Sequence, residues 1–168
     1  MREAGAAKGT FYVYFATWDD LLEAIREQLF ADFEQAHPTL PAAGGDWLAH
    51  IEARALAFVD AIGEMGQVHE TIFHSDFAAR RPMSAEFHPH GRLAKVLRAG
   101  QKAGAFRDFD ASATAQLLFA VIHETADAVV DGGNRERWVS VMRDVLRNVL
   151  APRPPRSPSI PGNGASNG

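Results

Sequence analysis

The stretch "HETIFH" at residues 69–74 holds two imidazoles and a carboxylate within six positions, the residue types from which a metal-dependent hydrolase is built. A zinc protease helix needs H-E-x-x-H, which stacks two histidines one turn apart on one face with the glutamate as general base. Here the second histidine comes one residue late. On an α-helix His69 and His74 would stand about 140° apart, with Phe73 at the position a ligand needs. "HETAD" at 123–127 sets His123 and Asp127 four apart, a workable helical pair without an indicated third ligand, and "HPH" at 88–90 adds His88 and His90. The spacing therefore predicts no metal site and no cofactor, and a centre assembled only in space is the one route left open. No G-x-S-x-G, phosphate-binding or dinucleotide glycine motif is present, and with no cysteine in the chain a thiol nucleophile is impossible. No enzymatic activity is expected.

A second group of chemically useful residues lies at the start of the chain, in "AGAAKGTFYVYFATWDDLL" (4–22). Gly5 gives the backbone freedom for a tight turn, and Lys8, Gly9, Thr10, Tyr12 and Tyr14 set a cation, a side-chain-free approach and three hydroxyls within two helical turns. Such groups suit phosphates and base edges. Phe11 and Phe15, four apart, would pack the same helix inward.

The elements that must position these residues are helical throughout. Thr17 reads as an N-cap with Asp19 and Asp20 in the first turn, and Trp18, Leu22, Ile25, Leu29 and Phe33 mark one helix face that ends near Ala36, before Pro38. Asp46 caps a second pattern carrying Leu48, Ile51, Ala55, Phe58, Val59 and Ile62. "GQVHETIFHSDFAA" is a less regular third segment, apolar at Val68, Ile72, Phe73 and Phe77. Leu93, Val96 and Leu97 mark a helix closing at Gly104. A further helix is capped near Asp110 or Ser112, and a last one follows "DGGN". No segment alternates with period two. The fold class is all-α, and the proline- and glycine-rich residues 152–168 read as a disordered tail.

The pattern A-G-x-x-K-G-T-F-Y-x-Y-F, followed by a capped helix opening D-x-L-L, resembles the TetR family of bacterial transcription regulators at Ala4, Gly5, Lys8, Gly9, Thr10, Phe11, Tyr12, Phe15, Asp20, Leu21 and Leu22. "RAGQKAGAFRDFD" is similar to a helix connection of the same family. The resemblance implies a TetR-like helical bundle. Residues 1–36 would be a remnant of a helix-turn-helix DNA-binding domain with its connecting helix, and 46–151 an effector-binding and dimerisation domain. It implies that Lys8, Gly9, Thr10, Tyr12, Val13 and Tyr14 face operator DNA, with Thr17 capping the connecting helix. A small apolar or aromatic effector would sit among Phe58, Ile62, Met65, His69, Ile72, Phe73, Phe77, Phe87 and Leu97, side chains that would serve equally as ordinary core. A homodimer would form through Leu117, Leu118, Val121, Ile122, Trp138, Met142, Val145 and Val149.

By that resemblance the function is ligand-responsive transcriptional regulation, as a repressor, in the cytoplasm. Only Met1, Arg2 and Glu3 precede the motif, where the family carries two further helices, and Trp18 stands where relatives place a phosphate-binding lysine. Through His37 the bases Arg2, Lys8 and Arg26 face seven acids, and the whole chain carries a formal charge of -4. DNA binding by the chain as it stands is therefore expected to be impaired. The alternative is a ligand-binding or dimerisation module without DNA recognition. No apolar run reaches the length of a membrane span, and no membrane partner is expected.

Overall fold

The computed structural model describes residues 15–77, 81 and 88–152. They are all-α, with no strand among the described residues. The elements are α1 (Trp18–Ala36), α2 (Trp47–Met65), a single turn α3 (Gln67–His69) that runs into a π-helical turn (Glu70–His74), α4 (Pro89–Lys102), α5 (Ala111–Val130) and α6 (Arg135–Leu150). Four of the long helices start where a side chain accepts from orphan backbone N–H groups, whereas α4 opens on Pro89, which has no N–H to satisfy, and has no side-chain cap. Thr17 and Asp20 form a reciprocal capping box on α1, while Asp46, Asp110 and Asn134 cap α2, α5 and α6. Gly104, at φ 72°, takes the left-handed conformation that closes the end of α4.

α5 is the central helix, packed by α2, α4 and α6. The core they enclose is apolar: Val59, Leu97, Ala115, Ala126, Met142, Leu146 and Leu150 have essentially no solvent exposure. One contact there depends on a missing side chain. A Cβ on Gly100 would lie 2.3 Å from the ring of Phe106, so any side chain there forces the ring or α4 to shift. Ion pairs hold the outside together, Arg147 of α6 gripping Glu52 of α2 through two bonds of 2.7 and 2.9 Å, and Arg135 reaching Asp60 at 2.6 Å.

α1 joins this body differently, through aromatic rings. Phe33 meets Phe58 edge to face at 5.9 Å between centroids, and Phe30 meets Phe73 in the same way at 5.9 Å. A small second core of Leu22, Ile72 and Phe77 fastens its N-terminal half to the π turn. The buried face of α1 is Leu22, Arg26 and Phe30. The face expected from residue type alone is thus rotated: Trp18 and Ile25 are exposed, whereas the Arg26 guanidinium is buried over the ring of Phe77 at 4.9 Å. Burial pushes the Arg26 pKa down, with Glu23 and Glu27 opposing that shift.

The expected dimer face also changes. Leu118, Ile122 and Met142 are buried within the chain's own core, because α5 and α6 turn those positions toward α2 and α4. Leu117 and Val141 are the large apolar side chains of these helices that stand exposed. Trp138, Val121, Val145 and Val149 are half-buried. No helix among the described residues is long and apolar enough to cross a membrane.

Candidate ligand pocket and histidine cluster

Because rings rather than close backbone packing hold α1 against the body, space remains beneath it. A cavity of about 70 Å³ lies between α1, α2, α4 and α5, walled by Phe30, Phe33, Ile51, Phe58, Leu93 and Phe119. Its other lining includes Arg54, Arg92 and Glu34. A second cavity of about 360 Å³ shares Phe30, Phe33 and Phe58 with the first and continues along Ile62, Met65 and Phe73. Apolar walls with a few convergent polar groups are the usual make-up of a small-molecule site.

The polar end is internally paired. Glu34 accepts from Arg54 at 2.7 Å and from Thr39 at 3.0 Å, and Arg92 lies 3.2 Å from its other oxygen. Arg54 also donates to the carbonyls of His37 and Pro38, and thereby ties the end of α1 to α2. A ligand carrying an anionic group would compete with Glu34 for Arg92. A neutral apolar ligand would leave this network intact.

The expected pocket residues divide accordingly. Phe58, Ile62, Met65 and Phe73 line these cavities. Ile72 and Phe77 do not, being buried in the small core with Leu22, and Leu97 is buried in the main core between α4 and its neighbours. Phe87 lies outside the described residues, as do Lys8, Gly9, Thr10, Tyr12, Val13 and Tyr14. Of the residues expected at DNA, Thr17 alone is described, and it caps α1 as anticipated. The sequence reading missed Phe30, Phe33, Arg54, Arg92 and Phe119 as pocket walls. Phe33 stands in the apolar pattern of α1, but nothing in residue type or spacing separates a cavity wall from core at Phe30, Phe33 or Phe119, or marks Arg54 and Arg92 as facing a cavity.

His69, the remaining expected pocket residue, belongs to a different site. One ligating atom from each of His69, His74, His123 and Asp127 lies within 4.8 Å of the others. The π turn is what brings the first two together. Its i→i+5 bonding sets residue i+5 above residue i, so the late histidine that fails on an α-helix succeeds here. The 140° separation expected from sequence is replaced by imidazole centroids 4.8 Å apart. His123 and Asp127 arrive from α5, one turn apart, with His123 Nδ1 and Asp127 Oδ2 at 3.0 Å.

Asp127 is the hub. Its Oδ1 is 3.4 Å from Nε2 of His69 and 3.4 Å from Nε2 of His74. His69 is 2% exposed, and neither its Nε2 nor Oδ1 of Asp127 makes a hydrogen bond among the described residues. Burial pushes the His69 imidazole below its ordinary pKa, the Asp127 carboxylate opposes that shift, and His74 and His123 reinforce it. Burial thus disfavours the charged form of this imidazole. Phe73, Phe58 and Phe119 ring the inner side of the cluster, while Glu70, His74 and Asp131 line a cavity of about 600 Å³ on its outer side. His88 and His90 stack on each other at 3.7 Å and are not among the four.

Comparisons of the chain with protein-family models, with curated proteins and with solved structures return no match.

Proposed function

We propose that this chain is a ligand-responsive transcription regulator of the TetR type, acting as a repressor, whose effector is a small apolar or aromatic molecule bound beneath α1. The observation that carries the reading is the position of the pocket. Phe30, Phe33 and Glu34 of α1 form one wall of it. The same helix is capped by Thr17 and so follows directly on the segment 4–15 whose residue pattern resembles a DNA-reading helix. A ligand that wedges between Phe33 and Phe58 would displace the element that carries that segment. It would act through its different affinity for the two positions of α1.

One observation favours a second reading, in which the chain binds ligand without reading DNA. The start of α1 carries Asp19, Asp20, Glu23 and Glu27, which together outweigh the Arg81 that pairs with Asp20 and Glu23, while the helix's own guanidinium, Arg26, is buried. Such a surface repels phosphates.

The experiment that separates them uses the full chain twice: once with N-phenyl-1-naphthylamine as an apolar reporter, once in a selection from random DNA duplexes. A regulator binds the reporter, enriches a palindromic duplex and releases it when the reporter is added. Reporter binding without any enriched duplex supports the second reading. A chain that takes up no apolar reporter overturns both.

A further inference from the structure

We propose that His69, His74, His123 and Asp127 form a binding site for a divalent transition-metal ion of borderline softness, such as zinc, cobalt or nickel, that clamps the π turn to α5. The donor set selects the class. Three imidazole nitrogens and one carboxylate oxygen suit these ions, whereas magnesium and calcium call for oxygen ligands. Two of the distances fit directly. A tetrahedron with metal–ligand bonds of about 2.0 Å has edges of about 3.3 Å, and Oδ1 of Asp127 stands 3.4 Å from Nε2 of His69 and 3.4 Å from Nε2 of His74. One ligating atom from each of the four residues lies within 4.8 Å of the others, so closing the set on an ion asks only for small side-chain rotations.

Two further observations point the same way. Buried polar atoms are normally hydrogen-bonded, yet Nε2 of His69 and Oδ1 of Asp127 are buried, face each other, and have no hydrogen-bond partner among the described residues. A cation between them would satisfy both with one ion. The surroundings are those of a built site: aromatic rings from Phe73, Phe58 and Phe119 on the inside, and the carboxylates of Glu70 and Asp131 along the open cavity through which a cation would arrive.

Four protein ligands complete a tetrahedron and leave no open position for a substrate, so the site is structural or sensory. Its location sets what it can sense. The π turn that follows His69 and ends in His74 also carries Ile72, packed on Leu22, and Phe73, packed on Phe30, both partners belonging to α1. Metal binding would fix the turn on which α1 rests. This inference stands independently of the regulator reading.

The test uses the full chain, free of any affinity tag and stripped with a chelator, titrated with zinc by calorimetry and with cobalt by visible absorption. The expected result is one ion per chain, micromolar or tighter, with the intense d–d absorption of tetrahedral cobalt. His74→Ala, at a side chain one-third exposed, and Asp127→Asn are expected to weaken binding 10-fold or more with the helical circular dichroism unchanged. His50→Ala, a histidine of α2 outside the four, is expected to leave it unaltered. Absence of a stoichiometric ion, octahedral cobalt spectra, or affinity unchanged in both His74→Ala and Asp127→Asn would overturn the site.

Discussion

The imidazoles of His69 and His74 are five residues apart in the chain and 4.8 Å apart between ring centroids. That closeness belongs to the π turn. A π turn is most simply understood as an α-helix with one residue inserted. Deleting the exposed Thr71 should then relax the turn to an α-helix, leave both histidines on one face, and recreate the H-E-x-x-H spacing. The shortened chain is expected to stay folded and to bind cobalt within about 10-fold of the parent, one such factor being about 1.4 kcal/mol. A deletion that abolishes the cobalt spectrum in a folded chain would show that the extra residue itself is needed.

The Phe106 ring crosses α4 at Gly100, where a Cβ would meet it at 2.3 Å. Gly100→Ala is expected to destabilise the chain by about 1–3 kcal/mol, the usual cost of overpacking. Phe106→Leu in the same chain should recover part of that loss. Urea unfolding of the two single variants and the double variant measures the coupling, and strict additivity would mean the ring is not what excludes the methyl.

Thr17 and Asp20 cap α1 reciprocally, with Asp20 N to Thr17 Oγ1 at 3.1 Å and Thr17 N to Asp20 Oδ2 at 2.8 Å. Thr17→Ala should cost about 1 kcal/mol at neutral pH. The side-chain hydrogen bond with Thr17 is the largest influence on the Asp20 carboxyl and, with the Thr17 backbone and then Arg81, holds it below its ordinary pKa, while desolvation, second in size, opposes the shift. A depressed carboxylate stabilises the fold above its unfolded-state pKa, and the contribution disappears as pH falls through the folded-state value. The penalty of Thr17→Ala is therefore expected to shrink in acid below the ordinary carboxylate range. Equal penalties at neutral and acid pH would locate the cap's effect in the threonine alone.

The caps at Thr17, Asp46 and Asp110 and the glycine at Gly104 were legible in the sequence because each is a local event, decided by one side chain and the first or last turn of a helix. The buried face of α1 was not, since residue type favours Ile25 over Arg26 while the ring of Phe77 accepts the guanidinium. The histidine cluster was hidden by a single residue of helical register. His74 reaches His69 only when the turn is π, and that turn packs Ile72 with Phe77 and Leu22, a contact between distant parts of the chain that no local pattern encodes. Phe119 gives no sign in the sequence that it borders a cavity, because cavity walls and core use the same residues.

Phe58 closes the pocket from α2 and meets Phe33 and Phe119 edge to face. Phe58→Ala removes a ring from both cavities and is expected to cost about 3 kcal/mol, the lower part of the range for a buried phenylalanine because this one is half-buried. The enlarged space should at the same time bind bulkier apolar reporters than the parent chain accepts. Denaturant unfolding reads the first effect and reporter titration the second. Loss of stability without any change in reporter preference would separate Phe58 from the ligand site.

Phe58 and Phe119 also touch His123, at 6.3 and 5.8 Å between centroids, so the pocket and the histidine cluster share two rings. A ligand that turns either ring alters the packing around His123. An ion that fixes His123 restricts both rings. Linkage requires the two effects to be equal: if zinc changes the affinity for the apolar reporter by some factor, the reporter changes the affinity for zinc by the same factor. Couplings of this kind typically run from 5- to 150-fold, and a value near the lower end, about 5-fold, is expected from contact through two rings. Phe119→Leu keeps an apolar wall but removes one ring, and should reduce the coupling while each ligand still binds alone. Reporter affinity unchanged by saturating zinc would mean that the two sites share residues without sharing energy, and that an ion at the histidines serves only to hold the π turn against α5.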